Sequence, residues 1–254
     1  MIGLGIGGGI TSLGSGYTPM DLQEATSGTI PAPVLNLALW LKNNTGVTAA
    51  RWTDSSGNNR DATQGTSGNQ AEVTSDGGLD FERDNSDHYD FTKIDVADNG
   101  GFCIALVLTR ESNTSGTIFS DGTGEMVQIS NNTTLRIKTT TSGSGSNITT
   151  DAVFPADTFA TGSKFVLLIN RSAGASNRFI FMKNGVALTA DVDNSSNEAS
   201  GENPSGIEFT VLGSVAGSGG FFDGIIHEVA VWQRGLTAQE IADVNSYLLS
   251  IHGL

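Results

Sequence analysis

One short segment of the sequence gathers oxygen-bearing side chains that could hold a metal ion. Glu82, Asp84, Asn85 and Asp87 are the candidate ligands, and Arg83 places a positive charge among them. Hard oxygen ligands this close together suit Ca²⁺, although their spacing is not that of an EF-hand loop. The alternative interpretation is an ordinary solvated turn, which the arginine favours. Ca²⁺ is thus the one cofactor that the sequence suggests.

The three tryptophans are candidates for sugar binding, because flat aromatic rings can stack on pyranose faces. Trp52, which lies near Asp54 and Asn58, is the best candidate for a ligand-binding group. Trp40 and Trp232 lie in regular strand patterns, where a large ring also fills a core or an interface. Core packing is the alternative for all three tryptophans, and it takes precedence over ligand binding.

The sequence lacks an E-x-D-x-x-E triplet, which would place catalytic acids on one face of a strand. Retaining glycoside hydrolysis needs two carboxyls about 5 Å apart, which a strand supplies through acids two residues apart on one face. Asp223 and Glu228 differ by an odd number of positions, so Glu228 is interpreted as a structural residue. Cys103 lies in an apolar run without the positive charges that activate a thiol. We therefore expect no catalytic residues and no enzyme activity.

The charge of the chain excludes one class of partner. The formal net charge is -14, with only 13 Lys and Arg residues. Nucleic-acid binding requires clustered basic residues, which this sequence lacks. No run approaches the roughly 18 apolar residues of a membrane span. Neither nucleic acid nor membrane insertion is expected.

Strand patterns dominate the rest of the sequence. From Leu35 to Leu41 every second residue is leucine, which is the period of a strand. Asn184-Gly185 between two apolar runs predicts a two-residue hairpin. Many short strands with frequent turns predict an all-β, two-sheet sandwich. Further strands are expected over Leu79–Glu82, Phe102–Thr109, Gly116–Ser120, Met126–Ser130, Thr134–Thr139, Lys164–Asn170, Arg178–Lys183, Val186–Ala190, Ile207–Leu212 and Gly224–Trp232.

One short helix is predicted near the C-terminal end of the sequence. Thr237 and Glu240 have the spacing of a capping box, and Gly253 supplies a stop signal. The apolar face of this helix is expected to comprise Ile241, Val244, Leu248 and Ile251.

Residues 1–33 differ in composition from the rest of the chain and predict an extended, Gly-rich attachment arm. A flexible linker would contain Gly and Ser without large apolar residues, so this arm is expected to lie in a groove of a partner or along a sheet edge. Its expected contact residues are Ile2, Leu4, Ile6, Ile10 and Leu13. Residues 34–254 form the predicted sandwich.

Several motifs in the predicted sandwich resemble the concanavalin-A-like, laminin-G-type jelly roll. They are Gly78-Leu79-Asp80-Phe81-Glu82 running into Asp87-His88-Tyr89-Asp90-Phe91, the hairpin Phe179–Val186, and Gly224–Trp232 followed by Arg234-Gly235-Leu236-Thr237-Ala238-Gln239-Glu240-Ile241. The stretch from Leu39-Trp40-Leu41 through Trp52-Thr53-Asp54 to Ala62-Thr63-Gln64 adds to the resemblance. The resemblance covers roughly residues 35–254, and it implies an antiparallel jelly roll with a lectin-like binding role.

The Gly-rich opening ahead of such a sandwich resembles virion proteins of marine tailed phages. That resemblance implies a virion structural protein: a capsid decoration protein, or a tail or fibre appendage, anchored by its arm. Its partners would be other virion proteins such as the major capsid protein, further copies of itself, and glycans. It would lie on the virion surface after assembly in the host cytoplasm, and a single cysteine agrees with assembly in a reducing compartment. The alternative is a carbohydrate-binding module that recognises glycans, with assistance from Ca²⁺.

Deletion of residues 1–33 tests the attachment role. We expect the sandwich to fold, because its predicted core lies elsewhere, and to fail to join its assembly. Circular dichroism would report folding, and co-sedimentation with the parent particle would report assembly. Normal assembly of the shortened protein would exclude the arm as an anchor.

Overall fold

The computed structural model describes residues 36–122, 124–140, 147–174, 179–190, 192–193 and 206–254. The strands in this part of the chain are β1 (Leu39–Leu41), β2 (Val47–Thr48), β3 (Arg51–Trp52), β4 (Ala62–Thr63), β5 (Glu72–Val73), β6 (Leu79–Phe81), β7 (Tyr89–Val96), β8 (Phe102–Arg110), β9 (Gly116–Ser120), β10 (Met126–Ile129), β11 (Thr134–Thr140), β12 (Asn147–Val153), β13 (Lys164–Arg171), β14 (Phe179–Lys183), β15 (Val186–Ala187), β16 (Val192–Asp193), β17 (Ile207–Leu212) and β18 (Gly224–Trp232). A 3-10 turn spans Ser67–Asn69, and helix α1 spans Ala238–His252. No helix among these residues has the length and hydropathy needed to cross a membrane.

Two antiparallel sheets pack face to face. One sheet has the strand order β15-β14-β13-β8-β18-β6-β5, with β1 also paired to β18. The other has the order β16-β12-β11-β10-β9-β17-β7-β4-β3-β2. Sequential strands often lie apart in these orders, as expected when a chain alternates between the sheets of a jelly roll. The predicted all-β jelly-roll sandwich with one C-terminal helix is confirmed.

The main core fills the space between the sheets with aliphatic and aromatic side chains. Phe119 packs against Phe91 and Phe209, with ring centroids 6.1 and 5.2 Å apart respectively. From β8 the core receives Ile104 and Leu106, both fully buried. Each large side chain buried in this way contributes about 1.5–3 kcal/mol to folding, so this layer supplies most of the driving force.

A second apolar cluster covers the opposite side of the eight-stranded sheet. Cys103, Ala105 and Val107 alternate with the core residues of β8 and pack in a cluster with Val244 and Leu248 of α1. Strand β8 is therefore buried on both faces, which explains its nearly unbroken apolar sequence. Burial also raises the pKa of the Cys103 thiol well above its usual value, so this cysteine is a packing residue.

The carboxylate of Glu228 joins three elements beneath the helix. It is 1% exposed, and it accepts hydrogen bonds from Trp40 Nε1 at 2.8 Å and Tyr247 Oη at 3.4 Å. His252 Nε2 lies 2.9 Å from its other oxygen. Since a buried carboxylate is stable only when its oxygens are satisfied, these contacts connect β1, β18 and the C-terminal half of α1. Glu228 is thus the structural residue that the sequence indicated.

Helix α1 begins and ends as predicted. The Thr237 and Glu240 side chains each bond the other's backbone N–H, which completes the capping box, and Gly253 ends the helix at φ 68°. The predicted apolar face is wrong at one position, because Ile251 is 38% exposed. Near its end the helix instead directs Tyr247 and His252 toward Glu228.

The predicted strands agree with β6, β8 to β11, β13 to β15, β17 and β18, whereas β7, β12 and the short strands β2 to β5 and β16 were not predicted. Asn184 and Gly185 both have positive φ, as a tight hairpin requires. The alternation predicted from Leu35 is shorter in the structure, because only Leu39–Leu41 form β1 and Leu37 joins the cluster under the helix. Strand β7 was missed because its alternation slips by one residue at Thr92–Lys93, opposite a register shift in β17. Residues 1–33, which include all five expected arm contacts, lie outside the described residues.

Replacement of the buried carboxylate tests its structural role. Glu228→Ala leaves His252 and the Trp40 N–H without a partner and is expected to lower the free energy of unfolding by about 3–5 kcal/mol. Glu228→Gln, which keeps an acceptor, is expected to lower it less. Urea denaturation would measure both, with Gln239→Ala on the exposed face of α1 as the control, expected within about 0.5 kcal/mol of the parent. Equal stability of Glu228→Ala and the control would contradict this role.

Candidate functional site

Three neighbouring strands of the eight-stranded sheet, β6, β18 and β8, place acidic residues side by side at one end of these strands. Gly224, the first residue of β18, is paired with the last residue of β6 on one side and the last residue of β8 on the other. Asp223 precedes it, and Glu82 and Glu111 follow the two neighbouring strands. Neighbouring strands lie about 4.8 Å apart, so this pairing brings the three acids together.

Gly224 allows this close approach because it has no side chain. Its φ is +134°, and a Cβ atom there would lie 2.2 Å from the Thr109 carbonyl oxygen. The same Cβ would lie 3.0 Å from the backbone nitrogen of Glu111. A side chain at this position would therefore push β18 away from β8.

The acidic cluster itself consists of Asp80, Glu82 and Glu111. Each offers one carboxylate oxygen, and these three atoms all lie within 4.8 Å of one another. Asp80 faces away from the core, since its neighbours Leu79 and Phe81 are fully buried on the other face. Its Oδ1 atom is buried and has no hydrogen-bond partner among the described residues. The cluster thus contains a shielded oxygen that nothing in the described chain satisfies.

Burial and repulsion from neighbouring acids raise the pKa of every member of the acidic cluster. For Asp80 burial is the main cause, followed by the negative charges of Glu72 and Asp223. The pKa values of Glu82 and Glu111 are raised by burial, by Asp80 and by Asp223. The ionised cluster therefore carries an unfavourable electrostatic free energy that a bound cation would offset.

The two arginines adjacent in sequence to members of the acidic cluster, Arg83 and Arg110, donate to backbone carbonyls. Arg83 donates to the carbonyls of Phe221 at 3.3 Å and Ser115 at 3.0 Å. Arg110 donates to carbonyls that include that of Phe159, and burial together with the charge of Arg83 lowers its pKa to about 10. Both guanidinium groups hold loops, and neither forms an ion pair with the cluster within the described part of the chain.

The four predicted metal ligands are divided by the structure. Glu82 belongs to the acidic cluster, whereas Asp84 and Asn85 are exposed in the adjoining loop. Asp87 is 1% exposed, and one of its oxygens accepts a hydrogen bond from the backbone of Glu82 at 2.8 Å. Its other oxygen has no partner among the described residues. Metal binding by the four residues stays a prediction, and the geometry moves its centre toward Asp80 and Glu111.

The three residues predicted to bind sugar, Trp52, Asp54 and Asn58, form hydrogen bonds within the protein. Trp52 is fully buried, and its Nε1 donates to the Lys42 carbonyl at 3.0 Å. It therefore presents no free ring face to a sugar, and core packing, the alternative interpretation, describes it. Asp54 accepts from the backbone of Trp40, and Asn58 donates to the Leu37 carbonyl. These two side chains hold the start of the described chain, and a contact of either with a ligand stays a prediction.

The sequence contained only part of the signal for this site. Asp80 and Glu82 are two residues apart across the end of a strand, so they share a face, and this spacing was available. Glu111 and Asp223 reach the site only through the pairing of β8 and β18. Such long-range register cannot be deduced from one sequence.

Neutralising one carboxylate tests the electrostatic description. Because the folded-state pKa values are raised, their protonated forms favour folding at low pH, and this stability is lost as pH rises through the folded pKa. At pH 7 without divalent cations, Asp80→Asn is expected to raise the free energy of unfolding by roughly 1 kcal/mol or less. The gain should vanish as pH falls toward about 4. Thermal unfolding across this pH range would measure it.

Asp84→Asn is the matched control, because Asp84 is an exposed acid of the adjoining loop outside the cluster. Millimolar Ca²⁺ is expected to raise the Tm of the parent and of this control, and to leave the Tm of Asp80→Asn unchanged. A shift that is lost in Asp84→Asn and kept in Asp80→Asn would place the ion in the loop. No shift in the parent would exclude a Ca²⁺ site.

Comparison with known proteins agrees with this fold. The family model described as the concanavalin A-like lectin/glucanases superfamily, of laminin G type, matches residues 83–242, more than half of the chain. The search of curated proteins gave no match.

Solved structures with the same fold include the binding domains of a mosquitocidal protein and of a botulinum neurotoxin, and one domain of an arabinanase. The binding domain of Paraclostridial Mosquitocidal Protein 1 has a TM-score of 0.54 and 15% identity, covering 84% of this chain and 52% of that one. The botulinum neurotoxin serotype G binding domain has a TM-score of 0.50 and 18% identity, covering 85% and 52%. The present chain thus spans about half the length of either toxin domain.

The third structure is domain 4 of AbnA, an extracellular arabinanase from Geobacillus stearothermophilus, in complex with arabinotriose. Its TM-score is 0.52 at 18% identity, covering 83% of this chain and 98% of that domain. At such identities the three likenesses establish a shared fold, and the family model carries the assignment. The chain belongs to the concanavalin A-like lectin/glucanase superfamily.

Proposed function

We propose that the protein is a carbohydrate-binding module without catalytic activity that uses a divalent cation at Asp80, Glu82 and Glu111 to bind neutral glycans. The observation that carries this proposal is the acidic cluster, whose three carboxylate oxygens lie within 4.8 Å of one another, while the adjoining Arg83 and Arg110 donate to backbone carbonyls. Membership in a superfamily of lectins and glucanases supports a glycan as the ligand.

A cation at the cluster would supply the attraction that the protein surface lacks. Ca²⁺ takes six to eight oxygen ligands, so three carboxylates leave positions for sugar hydroxyls. The net charge of -14 disfavours glycans that carry carboxylates or sulfates. The ligand class is therefore neutral sugars with adjacent hydroxyl groups.

The likeness to the arabinanase domain supports the same class of ligand. The chain covers 98% of that domain, whose structure was solved in complex with arabinotriose. Correspondence with a whole domain, in place of a fragment, is what a self-contained binding module requires. Arabinotriose is thus a reasonable first probe.

Catalysis by the same carboxylates is the second candidate function, since retaining hydrolysis needs two carboxyls about 5 Å apart. Such a pair works when one acid is protonated and the other ionised, because their environments separate the two pKa values. Here burial and repulsion raise the pKa values of Asp80, Glu82 and Glu111 alike. The common direction favours binding of a cation over acid–base catalysis.

A place on a phage virion remains a prediction of the sequence alone. It rests on residues 1–33, which lie outside the described part of the chain. A glycan-binding sandwich is compatible with a capsid decoration protein or a fibre component, which could contact glycans of a host surface. The two roles can be tested separately.

Titration calorimetry with neutral oligosaccharides, starting with arabinotriose, tests the proposed function. We expect binding in millimolar Ca²⁺ that is lost in EDTA, and at least about tenfold weaker binding by Asp80→Asn. Asp84→Asn should bind as the parent does. Equal binding in EDTA would exclude the cation, and no binding across the panel would exclude the module. Release of new reducing ends in the same solutions would establish hydrolysis instead.

A further inference from the structure

An apolar groove lies between the hairpin β14–β15 and helix α1, on a part of the molecule remote in sequence from the acidic cluster. Its volume is about 360 Å³, and its walls include Met182, Val186, Ile241, Ala242 and Leu249. Val186 is 67% exposed, which is unusual for a large apolar side chain beside other apolar groups. We refer to this feature as the hairpin–helix groove.

One wall of the hairpin–helix groove is an open sheet edge. Strand β15 is the last strand of its sheet and is paired only with β14 among the described strands. No other described strand pairs with its outer N–H and C=O groups, so these groups could pair with a further strand. Exposed apolar edge strands are normally covered or otherwise protected in native proteins. We therefore expect another segment to cover this edge.

The opposite wall contains a buried acceptor without a donor. Asn245 lines the groove and is 3% exposed. Its Nδ2 donates to the Ile241 carbonyl at 2.9 Å, which fixes the orientation of the amide. Its Oδ1 is buried and has no hydrogen-bond partner among the described residues. Such an orphan acceptor is unfavourable, and a backbone N–H of an occupant would satisfy it.

We propose that the segment Ile2–Ile10 of the same chain binds in the hairpin–helix groove as an added strand beside β15. In an extended conformation Ile2, Leu4 and Ile6 share one face, while the intervening glycines occupy the other. The apolar face matches the groove, and the glycine face lets the backbone approach its neighbours closely. The segment carries no charged residue, so no ionised group would be buried.

The path of the chain makes this binding feasible within one molecule. The described chain begins at Asn36, and Ala38 N donates to Val231 O at 2.7 Å near the end of β18. Leu37 shares an apolar cluster with Leu236 and Ile241 at the start of α1, so the chain enters beside the helix that forms the groove. Residues 11–35 can extend over roughly 80 Å. Because residues 11–35 join the segment to its own groove, the effective concentration of the segment at the groove is on the order of millimolar. A second copy of the protein would have to exceed that concentration to compete for the groove.

Photo-crosslinking in the full-length protein tests the proposal. Val186→Cys would be labelled with benzophenone maleimide, while the native Cys103 is fully buried and escapes labelling. Val73→Cys is the control, because Val73 is 44% exposed on β5, the strand at the other end of the same sheet. Mass spectrometry of the monomer band is expected to find peptide 2–10 joined to position 186 and not to position 73.

Equal crosslinking at positions 73 and 186, or no crosslink of peptide 2–10, would overturn the proposal. Mixing isotopically heavy and light protein identifies the source of the segment, and heavy–light crosslinks would assign it to a second copy and overturn binding within one chain. Joint replacement Leu4→Ser and Ile6→Ser is expected to lower the yield at least about tenfold. An unchanged yield would show that the groove does not recognise these side chains.

Discussion

Burial of both faces of the central strands β8 and β18 is the constraint on which the rest of the structure depends. One face packs on the other sheet, so the opposite face must be covered by α1 and the residues that precede β1. The carboxylate of Glu228 in β18 fixes that cover, because Trp40 of β1 and both Tyr247 and His252 of α1 contact it. Since an unpaired buried charge is strongly unfavourable, the helix has one position in which this carboxylate is satisfied.

At the other end of these two strands, where β18 begins and β8 ends, the neighbouring residues are acidic. A register shift in β18 after Ile226 separates the segment that lies under the helix from the segment that borders β6. Beside this shift, His227 lies 3.1 Å from Asp76, and burial lowers its pKa to about 4. On the N-terminal side of the register shift, the sheet face that α1 covers elsewhere presents the acidic cluster. One sheet face thus passes from apolar packing to uncompensated negative charge within the length of a strand.

Local patterns in the sequence predicted the elements that obey local rules. The Thr237–Glu240 capping box, the Asn184-Gly185 hairpin and the apolar run of β8 depend on neighbours in sequence, and all three were predicted correctly. Strand β7 was missed because its alternation is interrupted, and Trp52 looked like a candidate ligand group because burial cannot be read from residue type. The acidic cluster was only half visible, since Glu111 and Asp223 approach Asp80 through pairing between distant strands.

Gly224 gives the acidic cluster an evolutionary signature that its carboxylates do not provide. Acidic residues are common on protein surfaces, so a relative that keeps Asp80, Glu82 and Glu111 could do so by chance. A glycine held at φ +134° with no room for a methyl group is a much rarer requirement. In an alignment of relatives, joint retention of this glycine and the three acids would distinguish inherited spacing from incidental charge. Loss of the glycine would mark lineages in which the cluster has no function to preserve.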